Sequence, residues 1–251
     1  MIELNTHREH RLLLDTPQVR TTLDRKTCTK RIAIASRTCR VDGSGRLAEH
    51  LDLAADSVFV DRGPSPAGNS GPYLHVPSRR GDTTHRVYPV WQVGDRLWMA
   101  ETFALENTEE YAGEQNILPN DGRPLRAIDD GEGGTFHLIP RYRATEPETL
   151  LMVVAAETPE ECMRWSPATQ MPRWASRMLL TVMGVDVERL QDISEGDVIA
   201  EGWVHGQKGN PGNGGPFDWF RERWDAKARK GDMWQDNPRV WVVKSSHLPV
   251  A

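Results

Sequence analysis

The stretch that most constrains the fold is residues 171–202, which read MPRWASRMLLTVMGVDVERLQDISEGDVIAEG. Residues 177–187 alternate between two faces that are both largely apolar, with Leu179, Thr181 and Met183 on one of them. A strand that is apolar on both faces has to be covered on both sides. The sequence therefore predicts a buried strand here, around which the other elements pack.

A short acidic helix is predicted directly after this strand. Ser194 is placed as its N-cap, and Asp197 three residues later is a short-armed variant of the capping box. Gly202 lies where a left-handed C-terminal cap belongs. With the entry loop at 171–177, which contains two arginines and a tryptophan, these elements predict a framework that also carries a candidate site.

The remaining regular elements are short. Residues 1–11 are predicted to be a polar lead-in, and Thr16 is predicted to cap a helix whose first position is Pro17 and which ends near residues 24–27. A further helix is predicted at 217–230, and strands are predicted at 28–35, 96–102, 135–144 and 237–244. Pro140 inside the third of these strands predicts an edge strand or a bulge.

Long loops separate these elements. The Gly- and Pro-rich segments 39–86, 105–134 and 205–216 are predicted to be surface insertions with little intrinsic order. Short strands mixed with short helices, without a βαβ rhythm, favour an α+β fold built on a small closed or nearly closed β-barrel. We expect one elaborated domain that covers residues 1–251.

Composition limits the function classes. The 251 residues carry a net charge of −5, so a nucleic acid can be bound only through a local basic patch. The three cysteines lack metal-ligand spacing, which predicts no metal site and a reducing cytoplasmic location. The absence of an 18-residue apolar run argues against a membrane location, and no cofactor motif is apparent.

Three separated pieces of the chain resemble the ASCH domain family, whose fold is a PUA-like β-barrel. Residues 24–31, DRKTCTKR, are similar to the family's Gly-x-Lys-x-x-x-x-Arg signature, with Asp24 where glycine is usual. Residues 93–98, VGDRLW, with Glu101 are similar to its Gly-Asp-x-Leu-Trp-Val-Arg-Glu strand, with Ala100 where arginine is common. The third piece is residues 171–202 together with a closing strand at 241–243.

The resemblance is closest to the long ASCH proteins of phages and prophages. It covers residues 12–36, 87–104 and 136–244, and the long loops fall outside it. It implies a phage- or prophage-encoded protein in a bacterial cytoplasm that binds RNA or a modified nucleoside or nucleotide in a cleft beside the barrel.

Small bacterial ASCH enzymes hydrolyse the acetyl amide of acetylated cytidine with a lysine, a threonine and a glutamate. Motif by motif, the resemblance places these roles on Lys26, Thr29 and Glu201. A lysine acts as a base only when its pKa is depressed, and the neighbouring cations of residues 25–31 act in that direction. Lys26 and Thr29 converge only in a turn or bulge, because residues i and i+3 of a regular strand point to opposite faces.

Each of these residues also has a plain structural interpretation. Lys26 can be a solvated cation at a helix C-terminus, Thr29 an ordinary strand residue and Glu201 a surface residue. The candidate nucleotide-binding residues are Arg31, Trp98, Glu101, Arg173, Trp174 and Arg177. In the alternative interpretation, Trp174 packs on the barrel and Arg177 pairs with an acid.

Three functions remain open at this point. The first is a module that binds RNA or a modified nucleotide, with guanidinium groups on phosphate and Trp174 on a base. The second is an amidohydrolase that deacylates an N-acylated nucleoside through Lys26, Thr29 and Glu201. The third is a phage assembly factor, for which the long loops would provide partner contacts.

Overall fold

The computed structural model describes residues 8–34, 38–40, 47–50, 53, 55, 57–63, 71–77, 84–107, 122–129, 131–146, 164–205 and 215–247. The strands are β1 (Glu9–Leu13), β2 (Thr27–Ala33), β3 (Thr38–Arg40), β4 (Leu47–His50), β5 (Phe59–Asp61), β6 (Tyr73–Pro77), β7 (Thr84–Val87), β8 (Arg96–Ala100), β9 (Phe103–Asn107), β10 (Arg126–Asp129), β11 (Thr135–Tyr142), β12 (Leu179–Arg189) and β13 (Arg239–Ser246). The α-helices are α1 (Thr16–Arg25), α2 (Glu195–Ala200) and α3 (Pro216–Asp225). Short 3-10 helices cover Ala168–Gln170, Arg173–Ala175, Leu190–Asp192 and Trp234–Asp236.

The chain divides into two compact units, each made of separated segments. Unit 1 contains Met1–Lys26, Arg96–Leu180 and Pro249–Ala251, and unit 2 contains Thr27–Asp95 and Thr181–Leu248. The expectation of one elaborated domain stays a prediction.

Unit 1 is built around β8. This strand pairs in parallel with β1, and the antiparallel sheet β10-β11-β9 belongs to the same unit. Its core contains Trp98, Phe103, Tyr142, Met171 and Ala175. The core therefore gathers the end of β8 and the loop at 171–177, which are two of the three pieces that carry the ASCH resemblance.

Unit 2 is built around the antiparallel strands β12, β13 and β2. A bulge interrupts the β12–β13 ladder between Val182 and Gly184. One core cluster contains Trp241 and Val187 with buried residues of the 53–87 region. A second core cluster packs α2 and α3 with several tryptophans beside β13.

The α+β class is confirmed. In each described sheet the strand order has two free ends, so no closed barrel is present among the described residues. Within the same ranges, no helix has the length and apolar character needed to cross a bilayer.

The prediction of a poorly ordered insertion at 39–86 is wrong for the described part of that segment. Strands β5, β6 and β7 form an antiparallel sheet there, in which Leu74, Val76 and Val87 are buried. Leu74 and Val76 alternate with Tyr73, His75 and Pro77 in β6, and this alternation is enough to bury the face that carries Leu74 and Val76. The surrounding Gly- and Pro-rich sequence obscured that pattern.

Other boundaries also differ from the sequence prediction. Within 105–134, Arg126–Asp129 forms β10, because β11 supplies its ladder partners. Pro140 lies in the central strand β11, but the β10 ladder ends at Leu138, so the proline occupies a locally unpaired edge on that side. Helix α3 ends at Asp225 and not at residue 230. Much of 205–216 lies outside the described residues.

The caps of two helices test the local sequence reasoning. Ser194 caps α2 as predicted, since its hydroxyl accepts a hydrogen bond from the Asp197 backbone N–H. The predicted cap Thr16 is wrong, because Asp15 is the N-cap of α1. Asp15 Oδ1 accepts from the Gln18 backbone at 3.3 Å, and Gln18 Oε1 accepts from the Asp15 backbone at 3.4 Å. Gln18 closes the capping box that the sequence reading overlooked.

Replacing Asp15 by alanine is expected to lower the free energy of unfolding by about 1 kcal/mol, because the N-terminal N–H of α1 loses its acceptor. Urea denaturation followed by circular dichroism measures this change. Thr16→Ala is the matched control and is expected to change stability by only a few tenths of a kcal/mol. Equal losses in the two variants would contradict the capping assignment.

Candidate functional site

The loop at 171–177 is fixed by contacts on both of its sides. Buried Met171 accepts the Glu101 backbone N–H at its sulfur, at 3.3 Å. The Tyr142 hydroxyl donates to the Ala175 carbonyl at 2.9 Å, and Ser176 Oγ donates to the Met99 carbonyl at 2.7 Å. The loop is therefore held against the end of β8 through side chains and backbone alike.

Arg177 also attaches the loop, through an ion pair with Glu101. Its Nε and Nη2 donate to the two carboxylate oxygens of Glu101 at 2.8 and 2.9 Å. The Glu101 side chain is 2% exposed, and its burial raises the pKa of the carboxyl, which the hydrogen bonds and charge of Arg177 partly offset. The guanidinium lies 4.1 Å from the centroid of the Tyr142 ring. Arg177 thus pairs with an acid, as in the alternative interpretation of the sequence.

A polar pocket adjoins this ion pair. Its volume is about 400 Å³, and its lining residues are Gly122, Arg123, Tyr142, Thr145, Glu146 and Arg177. Arg177 Nη1 donates to Thr145 Oγ1 at 3.1 Å, and Glu146 bridges Arg123 and Arg141. We call this cavity the Arg177 pocket. Its size falls within the range of small-molecule sites, although its charged groups are already paired with one another.

A second group in unit 1 combines arginine with tryptophan. The guanidinium of Arg11 lies 5.0 Å from the centroid of the Trp98 ring, and that of Arg173 lies 6.0 Å from it. Arg126 lies 5.9 Å from the centroid of Trp174. These distances are those of cation–π contacts. We call the set the Arg–Trp cluster; its members are Arg11, Arg96, Arg126, Arg173, Trp98 and Trp174.

A carboxylate, that of Glu9, adjoins the cluster. Arg173 donates two hydrogen bonds to it, at 3.0 and 2.8 Å, and these bonds lower the pKa of Glu9. Arg96 adds to the lowering through its charge. All four arginines of the cluster are exposed, whereas Trp98 is buried and Trp174 is half-buried. The two tryptophan rings therefore lie beneath the guanidinium groups of Arg11, Arg126 and Arg173 and position them.

The cluster includes three arginines that the sequence reasoning missed. Arg11 lies on β1, inside the segment 1–11 predicted to be a polar lead-in, and that prediction is wrong for residues 9–11. Register brings the residues together, since Glu9 pairs with Arg96 and Arg11 pairs with Trp98. Because β1 and its parallel partner β8 are far apart in the chain, their pairing leaves no local signal in the sequence.

Arg31 occupies a separate site in unit 2. Its side chain is 1% exposed and contacts three carboxylates, those of Glu188 at 2.5 Å, Asp197 at 3.1 Å and Glu201 at 3.1 Å. Burial acts to lower the pKa of Arg31, but Glu201 and Glu188 outweigh it and the net shift is upward. Burial acts to raise the pKa of Asp197, but bonds from Ser194 and Arg31 make the net shift downward. The three acids therefore hold one buried cation.

The three candidate catalytic residues have different surroundings. Lys26 is the exposed C-cap of α1, with a left-handed φ of 57°, and it is the last residue of that segment of unit 1. Thr29 is half-buried on β2, opposite Lys244 of β13. Glu201 is the C-cap of α2, and Gly202 follows it with a φ of 114°. Glu201 is bound to Arg31, so it is a buried ion-pair partner and not the surface residue of the plain interpretation.

Among the described residues, no group of three His, Cys, Asp or Glu side chains is arranged to hold a metal ion. Comparison with known proteins gives no match to a protein-family model, to a curated protein or to a solved structure. The ASCH resemblance stays a prediction that rests on the motifs.

Replacing Arg31 by methionine is expected to lower the free energy of unfolding at neutral pH by about 3–5 kcal/mol, because three acids lose their shared cation. Asp197 has a lowered pKa in the native protein, so its contribution to stability is present above its ordinary pKa and is lost as the pH falls through the lowered value. The difference between variant and wild type should therefore shrink in acid, where the carboxylates become protonated. Urea denaturation at several pH values measures both effects.

Arg62→Met is the matched control, since Arg62 pairs with Asp186 while 60% of its side chain is exposed. We expect it to cost no more than about 1 kcal/mol. A loss for Arg31→Met that does not depend on pH would contradict the electrostatic explanation.

Proposed function

We propose that the protein binds single-stranded nucleic acid, RNA above all, through the Arg–Trp cluster of unit 1. The observation that carries the proposal is the concentration of three exposed arginines over two tryptophans, with Arg96 nearby and with Glu9 paired, among these four arginines, to Arg173 alone. A chain with a net charge of −5 requires such a local excess of positive charge before it can attract a polyanion.

The contacts of the cluster suit phosphate recognition. An indole ring restrains a guanidinium by its face and leaves the edge N–H donors able to bind an anion. Arg11 illustrates this arrangement, because its Nη1 donates to the Thr169 carbonyl at 2.6 Å while the group lies over Trp98. From the sequence, Trp174 is expected to contact a base. Its half-buried position under Arg126 supports instead a role in orienting a phosphate ligand.

We include the Arg177 pocket in the proposed nucleic-acid-binding site. Residues 171–177 contribute Arg173 and Trp174 to the cluster and Arg177 to the pocket, so one fixed loop serves both. Assignment to the PUA-like ASCH family is also part of this proposal. It is supported by the position of the family-like residues Trp98, Glu101 and Arg177 in unit 1, where Arg177 pairs with Glu101. Because Glu201 is held by Arg31, no contact of the described residues favours the deacylase hypothesis over binding.

The double variant Arg11→Gln/Arg126→Gln, which removes the two arginines that lie over tryptophan without a carboxylate partner among the contacts described above, is expected to bind a fluorescein-labelled oligouridylate more weakly than wild type. The plot of log affinity against log salt concentration should also become shallower by roughly 1.4, since each phosphate contact on a single strand contributes about 0.7 to that slope. Fluorescence anisotropy across a salt series measures both quantities.

The double variant Arg62→Gln/Arg221→Gln removes the same charge at two exposed ion pairs of unit 2 and is the matched control. It should retain most of the affinity and nearly the whole slope. Equal weakening in the two double variants would show that net charge alone governs binding. Failure of the wild-type protein to bind would reject the proposal.

A further inference from the structure

The sheet β5-β6-β7 of unit 2 has one buried face and an opposite face that is partly exposed, since Phe59 and Arg86 are exposed there while Tyr73 is buried. Leu74, Val76 and Val87 on the buried face contribute to the core. The register places Phe59, His75 and Arg86 together on the opposite face, because Phe59 pairs with His75 and His75 pairs with Arg86. Phe59 is 55% exposed, whereas Tyr73 and Leu74 on the neighbouring strand β6 are buried.

Four aromatic side chains lie side by side here, three of them on β5 and β6 and the fourth, Tyr88, directly after β7. The rings of Phe59 and His75 are stacked, with centroids 4.4 Å apart and planes 8° from parallel. Tyr73 lies 5.0 Å from His75 and 5.2 Å from Tyr88, centroid to centroid. We call Phe59, His75, Tyr73 and Tyr88 the aromatic row. One ring face of Phe59 is covered by the imidazole, and the exposed area lies elsewhere on the ring.

Asp61 fixes the aromatic row in place. Its Oδ2 accepts from the Tyr73 hydroxyl at 2.7 Å and lies 3.1 Å from His75 Nε2, and its Oδ1 accepts from the Gly63 backbone at 2.7 Å. These contacts limit rotation of the His75 imidazole, so the Phe59 ring stacks on a side chain of fixed orientation. An exposed aromatic that is held rigid loses little conformational entropy when a flat ligand stacks on it.

We propose that the aromatic row is a second contact site for single-stranded nucleic acid, in which a base stacks on the exposed ring of Phe59. This inference rests on the proposed function and adds a base-binding site to the phosphate-binding cluster. Arg86, exposed and directly across the ladder from His75, supplies a positive charge for the phosphate next to the stacked base.

The chemistry of the site favours a base over an apolar side chain of a partner protein. The exposed aromatic surface is one flat ring, and its surroundings are charged or polar: Asp61, His75 and Arg86. Stacking on an aromatic ring beside a cation is the usual way in which proteins bind unpaired bases without regard to sequence. No ion pair of the described residues involves Arg86.

Two oligomers of equal length separate base contacts from phosphate contacts: oligouridylate, and an abasic strand with the same sugar–phosphate backbone. Phe59→Ala is expected to weaken binding of oligouridylate by about 5- to 150-fold, the range measured for loss of one stacked base. Its binding of the abasic strand and its salt dependence should match wild type. Phe59→Trp should retain the affinity.

Phe217→Ala is the matched control, because Phe217 is 42% exposed on α3 of the same unit. It should bind both strands as wild type does. An unchanged affinity in Phe59→Ala, or an equal loss for the abasic strand, would overturn the inference while leaving the Arg–Trp cluster intact. Concentration-dependent self-association that disappears in Phe59→Ala would overturn it in favour of a protein partner.

A second measurement does not depend on the Arg–Trp cluster. The chain labelled with 4-fluorophenylalanine contains five phenylalanines, and the fluorine resonance of Phe59 is assigned by its loss in Phe59→Leu. Uncharged adenosine should shift this resonance and not that of Phe217. The shift should persist in Arg11→Gln/Arg126→Gln. A Phe59 resonance that does not move up to the solubility limit of adenosine would reject the stacking site, whatever the outcome for RNA.

Discussion

Unit 1 depends on the buried ion pair between Glu101 and Arg177. A carboxylate that is almost fully removed from water loses several kcal/mol of hydration, and only a well-aligned cation restores it. Arg177 meets that requirement with two hydrogen bonds and a contact with the Tyr142 ring. The loop before Arg177 is thereby tied to the end of β8. The positions of Arg173 and Trp174 follow, since both lie within four residues of this attachment.

The same solution appears in unit 2, where Arg31 is enclosed by three acids. Only 38% of the residues are hydrophobic, so apolar cores alone have limited area to bury. Arginine–carboxylate networks join strands and helix ends where leucine or valine would serve in a more apolar chain. Such networks gain less net free energy than apolar packing does, but they require one specific geometry. They fix where each segment lies.

Local patterns allowed a correct prediction of a strand near 177–187, observed as Leu179–Arg189, and of the Ser194 cap, because each depends on residues fewer than twelve positions apart. The prediction that both faces of this strand are covered is wrong, since Met183 is 54% exposed. The contacts of the sites could not be found in this way. Arg31 and Glu201 are 170 residues apart in the chain, and Arg173 and Glu9 are 164 apart. Composition was also misleading: the Gly- and Pro-rich segment 39–86 includes β5, β6 and most of β7, whose alternation is visible only over three to five residues each.

The partners of each arginine indicate which of them can bind an external anion. A carboxylate that pairs with a guanidinium cancels its charge and occupies its donors, which is the state of Arg31 and Arg177. An indole ring holds the guanidinium plane without cancelling the charge. Arg11 and Arg126 are held in this second way, so their positive charge remains directed toward solvent. Arg31 and Arg177 therefore build the framework, and the proposed binding of phosphate rests on Arg11 and Arg126.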